Sequence, residues 1–337
     1  MERLYVPEQI SRRSFIPRTA GIATDGPTTG SVRLTVEPNY QTVTRVESDD
    51  LETAIPSVGI GTYRIGGYEC FNAISEALEV GYRHVDTAMA YENEAAVSRA
   101  IETSTVDRED VFVTVKIKGY PEFLNRRRMI EAVKGSLQRL GMDRIDLVLI
   151  HWWHPDGDLT EVFDALSQLA DDGKVEHIGV SNFSIEQLER AMDASDAPIA
   201  TNQVQYHPYF QQDKMLSFCR DHDVLLTAYS PLAGGLVPDD ETLSKIGNRY
   251  GKSAAQVAIR WLIQQDGVVT IPKTVRSDRL RENFDVFDFE LTNIEMGQIH
   301  ELEGPLWYRL NSDRGVITRF RGAIGPYVPK QIRDKIP

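Results

Sequence analysis

Cysteine is nearly absent from this chain: Cys70 and Cys219 are the two among 337 residues. Both fall in amphipathic helical segments and cannot build a disulfide framework, so a reducing, cytoplasmic setting is expected. No apolar run approaches the ~18 residues of a membrane span, so no membrane partner is expected. Lysine is scarce too, 10 residues against 27 Arg, while 26 Asp and 24 Glu take the net charge to −13. That balance excludes nucleic-acid binding through a broad basic surface. It also suits a strongly hydrated acidic surface of the kind found in high salt, with ordinary acidic drift as the alternative.

Two familiar signals are missing although the sequence brushes against both. The stretch "GIGTYRIGG" (59–67) has the wrong glycine spacing for G-x-G-x-x-G, so no Rossmann domain is expected. "SRRSFI", Ser11 to Ile16, opens like a twin-arginine export signal. Its continuation is polar and broken by Pro and Gly, where such a signal needs about 7–15 apolar residues.

What is present is a rhythm. Residues 1–40 read as an N-terminal extension in which "SVRLTV" is one short strand; "TVTRVES", just beyond it, could pair with it as a hairpin. From Pro56 short β-branched runs alternate with segments of 3.6-residue periodicity. The predicted strands are 57–63, 84–88, 111–117, 145–151, 177–182, 199–206, 224–230 and 268–273. Between the third and fourth, Met129, Ile130, Val133, Leu137 and Leu140 form one helical face, and Gly141 is a C-cap signal. Eight strands alternating with helices point to a (β/α)8 TIM barrel of parallel strands rather than a doubly wound sheet. The expected division is an extension (1–40), the barrel (41–303) and a C-terminal tail (304–337).

In such barrels the active site lies at the C-terminal ends of the strands. The second strand ends near Asp86, with Tyr91 in the loop after it. The third carries Lys116 and the fourth delivers His151. A buried Lys needs a counter-ion, which Asp86 on the neighbouring strand can supply. A cation beside a phenol favours the phenolate, which is expected to lower the Tyr91 pKa. With His151 donating to a carbonyl oxygen, this is equipment for reducing a carbonyl, given a hydride source. Each residue alone reads more simply as a structural ion pair or strand-end polar group.

The stretches "GYRHVDTAMAYENEAAVSRAI" (81–101), "VTVKI" (113–117), "LVLIHW" (147–152) and "IGVSNF" (178–183) closely resemble the aldo-keto reductases. So do "NQVQYHP" (202–208), "AYSPLAGG" (228–235) and "IPKTVRSDRLRENFDVFDFEL" (271–291). The resemblance spans roughly residues 55–300 and implies a barrel that binds NAD(P)H without a Rossmann domain. It implies Tyr91 as proton donor, assisted by Lys116 and Asp86, with His151 orienting the carbonyl. It also implies that Ser181, Asn182 and Gln203 hold the nicotinamide carboxamide and Tyr229 stacks on the ring, with Ser230 and Leu232 along the pyrophosphate. Lys273, Thr274 and Arg279 match positions facing the adenosine 2′-phosphate, and Glu282 and Asn283 those facing adenine. Lys273, Arg276 and Arg279 at a helix start favour an anion on physical grounds, hence NADPH over NADH. A salt-bridge patch with Asp278 and Glu282 is the alternative.

One stretch departs from the pattern. "HWWHP" (151–155) inserts Trp153 and His154 where the family usually has Trp-Pro. His151 and His154 lack the H-x-H spacing of a metal pair, so no metal is expected. Trp152 is expected to wall the substrate pocket, joined by Tyr63. Trp153 and His154 either reshape that side or pack beneath the loop. The tail, with Trp307, Tyr308 and Arg309, 314, 319 and 321, has no evident family counterpart, so the substrate does not carry over. The leading expectation is a monomeric NADPH-dependent reductase of a small carbonyl compound. A cofactor-sensing regulatory barrel and a metal-dependent hydrolase are the other readings.

Overall fold

The computed structural model describes residues 31–36, 42–48 and 51–302 except 121–122 and 155–157, with side chains from Ile55 onward. Most of the expected extension and the whole expected tail therefore lie outside the described residues. Three strands come first: β1 (Ser31–Val36), β2 (Thr42–Ser48) and β3 (Leu51–Pro56), an antiparallel sheet in that order. The anticipated hairpin thus has a third strand.

The barrel strands follow as β4 (Ile60–Gly61), β5 (His84–Ala88), β6 (Phe112–Ile117), β7 (Ile145–Ile150), β8 (Val175–Ser181), β9 (Ile199–Gln205), β10 (Leu225–Tyr229) and β11 (Val268–Thr270). Each neighbours the next in one parallel eight-stranded sheet. The edges join: Gly59 N–H donates to the Thr270 carbonyl and Thr270 N–H to that of Ser57, both at 2.8 Å. The sheet is therefore the expected (β/α)8 barrel.

The helices are α1 (Gly67–Val80), α2 (Glu94–Glu102), α3 (Arg126–Leu140), α4 (Leu159–Asp171), α5 (Ile185–Ala194), α6 (Asp213–Asp221), α7 (Glu241–Gly247), α8 (Ala254–Ile263), α9 (Ser277–Phe284) and α10 (Asn293–His300). Their ends follow local chemistry. The Asn125 side chain accepts from the Arg128 N–H at the start of α3, and Gly141 closes it in the left-handed region. Ser184–Gln187, Ser253–Gln256 and Thr292–Glu295 form reciprocal capping boxes. The expected face of α3 is buried at Met129, Val133, Leu137 and Leu140, while Ile130 is half-buried.

Strand alternation divides the core in two. Val113, Val115, Val148 and Ile150 face outward into the helix layer. Leu147, Leu149, Leu225 and Val269 face inward, with Ile55 from β3 among them. The same inward set carries Asp86, Lys116 and His151 upward toward the C-terminal mouth. In β9 the alternation is broken. Ile178 pairs with Ile199 but Val180 pairs with Asn202, so the single residue Gly179 faces two, Ala200 and Thr201. This bulge lets Ala200 and Thr201 both face in, and it turns Gln203 toward the barrel axis.

Gly179, inward on β8, has no room for a side chain. An added Cβ would lie 2.7 Å from Leu149 Cδ2 and 2.8 Å from the Thr201 carbonyl oxygen. Gly179→Ala is expected to destabilise the barrel by about 1–3 kcal/mol through overpacking. Denaturant unfolding checks this; a stability equal to the parent's would show that β8 and β9 can separate freely.

Candidate active site

The end of β5 turns directly into a single 3-10 turn, Met89–Tyr91, and the next residue, Glu92, is left-handed at φ 57°. After this sharp reversal the Tyr91 ring meets the rings of Tyr63 and His151 at the mouth. Asp86 and Lys116, both almost fully buried, form an ion pair between adjacent strands. The second Asp86 oxygen accepts from Gln203 Nε2 at 2.7 Å. The Lys116 ammonium lies 5.1 Å from the centre of the Tyr91 ring. His151, one residue beyond β7, presents its ring edgewise to Tyr91 at 6.0 Å.

Asn182, left-handed at φ 61°, ties the next strand end together. Its Nδ2 donates to the His151 carbonyl and to Ser181 Oγ, each at 3.0 Å, while Oδ1 accepts from the Tyr229 hydroxyl at 2.9 Å. Ser181 Oγ in turn donates to the Gln203 carbonyl at 2.9 Å. These groups surround a cavity of about 440 Å³ whose lining includes Tyr63, Tyr91, His151, Tyr229, Ser230 and Lys273. Asp86, Ser181, Asn182 and Gln203 line it as well.

Most of the residues singled out in the sequence therefore converge. Trp152 does not reach the lining; it packs on His151 at 4.5 Å and edgewise on Tyr120 at 5.3 Å. Trp153 packs near Phe183 and under the Arg190 guanidinium, 4.5 Å from its ring centre, and is likewise off the lining. Leu232, Thr274, Arg279, Glu282 and Asn283 also lie off it, the last three on α9. Arg64, Gln205, Gly61, Gly234 and Ile271 line it unanticipated. For Gln205 a signal existed, two residues after Gln203 on the same strand face.

Around α9 the cations differ. Arg276 is engaged by Asp278 and Arg281 by Glu76. Lys273 and Arg279 are exposed and make no ion pair among the described residues. No group of three or more His, Cys, Asp or Glu among the described residues could hold a metal ion.

The titration behaviour differs from the expectation for Tyr91. Burial, and then the Asp86 charge, push its phenol well above the ordinary value. Burial is the larger cause, and the Asp86 carboxylate beside the Lys116 ammonium acts in the same direction. Burial, with Lys116 adding to it, holds His151 well below the usual imidazole value. Burial also lowers Lys116, opposed by Asp86. A raised phenol stays protonated as pH rises, and a lowered imidazole stays neutral as pH falls. Carbonyl reduction is therefore expected to hold level from about pH 6.5 to about pH 10, the ordinary His and Tyr values. A pH–rate profile checks this, and a loss of activity centred within that window would contradict it.

Known proteins resemble this chain over most of its length. The model of the Aldo/keto reductase family matches residues 57–303. The chain is 40% identical over 272 residues to the 9,11-endoperoxide prostaglandin H2 reductase of Trypanosoma cruzi, covering 78% of this chain and 92% of that protein. It is 38% identical over 252 residues to the methylglyoxal reductase DkgA of Escherichia coli, covering 74% and 90%. A crystal structure of an aldo/keto reductase from Brucella melitensis superposes with a TM-score of 0.72 at 39% identity, covering 78% of this chain and 99% of that one.

Proposed function

This chain belongs to the aldo/keto reductase family, and from that premise we propose that it reduces an aldehyde or ketone with NADPH, Tyr91 giving the proton. One observation supports this above the others: Tyr91 and His151 face one cavity with the Asp86–Lys116 pair directly behind the phenol.

When bound, a nicotinamide cofactor supplies the hydride. The chain's residues suit such a group. Ser181 brings a hydroxyl, and Asn182 and Gln203 bring side-chain amides, a donor and acceptor set matching a carboxamide. Tyr229 adds an aromatic face on the same lining, and Lys273 and Arg64 are cations there. Lys273 and Arg279, unpaired among the described residues, favour a phosphorylated ribose.

The neutral His151 imidazole donates a hydrogen bond to the substrate oxygen and sets its position. Tyr91 hands its proton to that oxygen as negative charge builds there. The phenolate left behind faces Lys116, and Asp86 keeps that lysine charged against the cost of burial. Alcohol oxidation is the same sequence reversed. Buried Cys70 and Cys219, whose thiols burial pushes up to about 12, suit a reducing cytoplasm; no helix among the described residues is long and apolar enough to cross a membrane. We read the working form as a monomer.

NADPH consumption with small dicarbonyls, aldehydes, ketoses and keto acids tests the reading. Tyr91→Phe is expected to slow turnover by about 10²–10⁴, the usual contribution of a general acid, with NADPH still bound. NADPH binding without turnover by either protein would discard it in favour of a cofactor-sensing role.

Cofactor choice has its own test. Arg279→Ala removes charge-assisted hydrogen bonds of about 1.5–3 kcal/mol and is expected to weaken NADPH about 10- to 100-fold while leaving NADH unchanged. Arg276→Ala, already committed to Asp278, serves as the control. Equal affinities for NADPH and NADH in the parent enzyme would reject the preference.

A further inference from the structure

Asn93 occupies the N-cap position of α2, where an asparagine side chain ordinarily accepts from the first helical N–H groups. Here it makes no such bond. The side chain, 1% exposed, turns the other way. Its Nδ2 donates to the carbonyl of Thr62 at 3.0 Å and to that of Ile65 at 2.8 Å. Its Oδ1 accepts from the Thr87 hydroxyl at 2.7 Å. The helix end gives up a cap so that one buried amide can join three places in the chain.

Those places matter. Thr62 and Ile65 bracket the turn after β4 that carries Tyr63, and Thr87 lies on β5 next to Asp86. Asn93 itself is two residues past Tyr91. The rings of Tyr63 and Tyr91 meet at 5.2 Å. Each turn also holds a left-handed residue that is not glycine, Arg64 and Glu92, both at φ 57°. Such conformations persist when the surroundings over-determine them. Thr62 adds to the clasp, its N–H and hydroxyl both donating to the Asp86 carbonyl at 3.0 Å.

We propose that Asn93 is a positioning residue for the proton donor, pinning the Tyr91 turn against the Tyr63 turn so that the phenol is held over the Asp86–Lys116 pair. This rests on Tyr91 being the donor. Asn93 touches no reacting atom; its effect passes through the placement of the Tyr91 ring. A misplacement of about 1 Å can cost about 100-fold in rate.

A double-mutant cycle on the whole chain tests this, with kcat, KM, NADPH affinity and thermal unfolding measured for each protein. Asn93→Ala is expected to lower kcat about 10- to 100-fold with NADPH affinity unchanged and unfolding still cooperative. In a Tyr91→Phe background the same substitution is expected to cost almost nothing further. Thr87→Val, which removes one tether of three, should show a smaller loss of the same kind, and it takes the place of Asn93→Ala in the cycle if that variant does not fold. A lower melting temperature with parental kcat, or losses that simply multiply in the double variant, would overturn the proposal alone. Full activity in Tyr91→Phe would instead remove the donor reading and this inference with it.

Discussion

The pairing of Asp86 with Lys116 is the constraint on which the site depends. Neither group could stay charged alone at this depth, and breaking such a pair by losing one partner typically costs about 3–5 kcal/mol. Satisfying both dictates much of the surroundings. Gln203 must reach across from β9 to take the second carboxylate oxygen, and the backbone carbonyl of Asp86 must receive Thr62. Four strand ends, β4, β5, β6 and β9, are thereby drawn together. Tyr91 stays protonated because burial disfavours its phenolate and the Asp86 charge adds to that. A lone ammonium would pull the phenol toward ionisation; one neutralised by its own carboxylate leaves burial to decide.

The barrel reaches this arrangement through alternation. On β7, Leu147 and Leu149 fill the interior and His151 continues the same face at the mouth. On β6, Val113 and Val115 pack outward while Lys116 points in. The polar set at the top and the apolar layer beneath it are consecutive inward positions of the same strands, so packing below fixes chemistry above. The bulge in β9 is where this simple rule would have failed. From Ala200 inward, strict alternation sends Gln203 out to the helices, and the extra residue corrects the phase.

Around that rigid base the loops carry strain. Arg64, Glu92, Asn182 and Ser230 all adopt positive φ without being glycine, and each lies on the cavity lining or next to Tyr91. Two side-chain amides hold three of these turns: Asn93 the first pair, Asn182 its own. Precision in the placement of Tyr91 and His151 comes from such ties, since neither residue sits within a strand.

The strand count, the parallel order and the convergence of Asp86, Lys116, Tyr91 and His151 were legible in the sequence. They follow from local rules: β-branched runs, helical periodicity, and polar residues at strand ends. Even Gly141 as a helix stop could be read directly. Contacts between distant segments were legible only where charge demanded them, as for Asp86 and Lys116. The sequence offered Trp152 as a pocket wall; what it did not offer is that the ring packs between His151 and Tyr120. It offered Lys116 as the group that acidifies Tyr91, yet pairing cancels that pull. Arg64 and the clasp at Asn93 had no local signature, because each depends on a turn from another part of the chain. The sequence by itself determined where the strands end and so which strand-end residues gather at the mouth of the barrel, since β-branched runs and helical periodicity are local. Only the tertiary structure decided their charge state and orientation, because burial and pairing are properties of neighbours that the chain brings together only on closing.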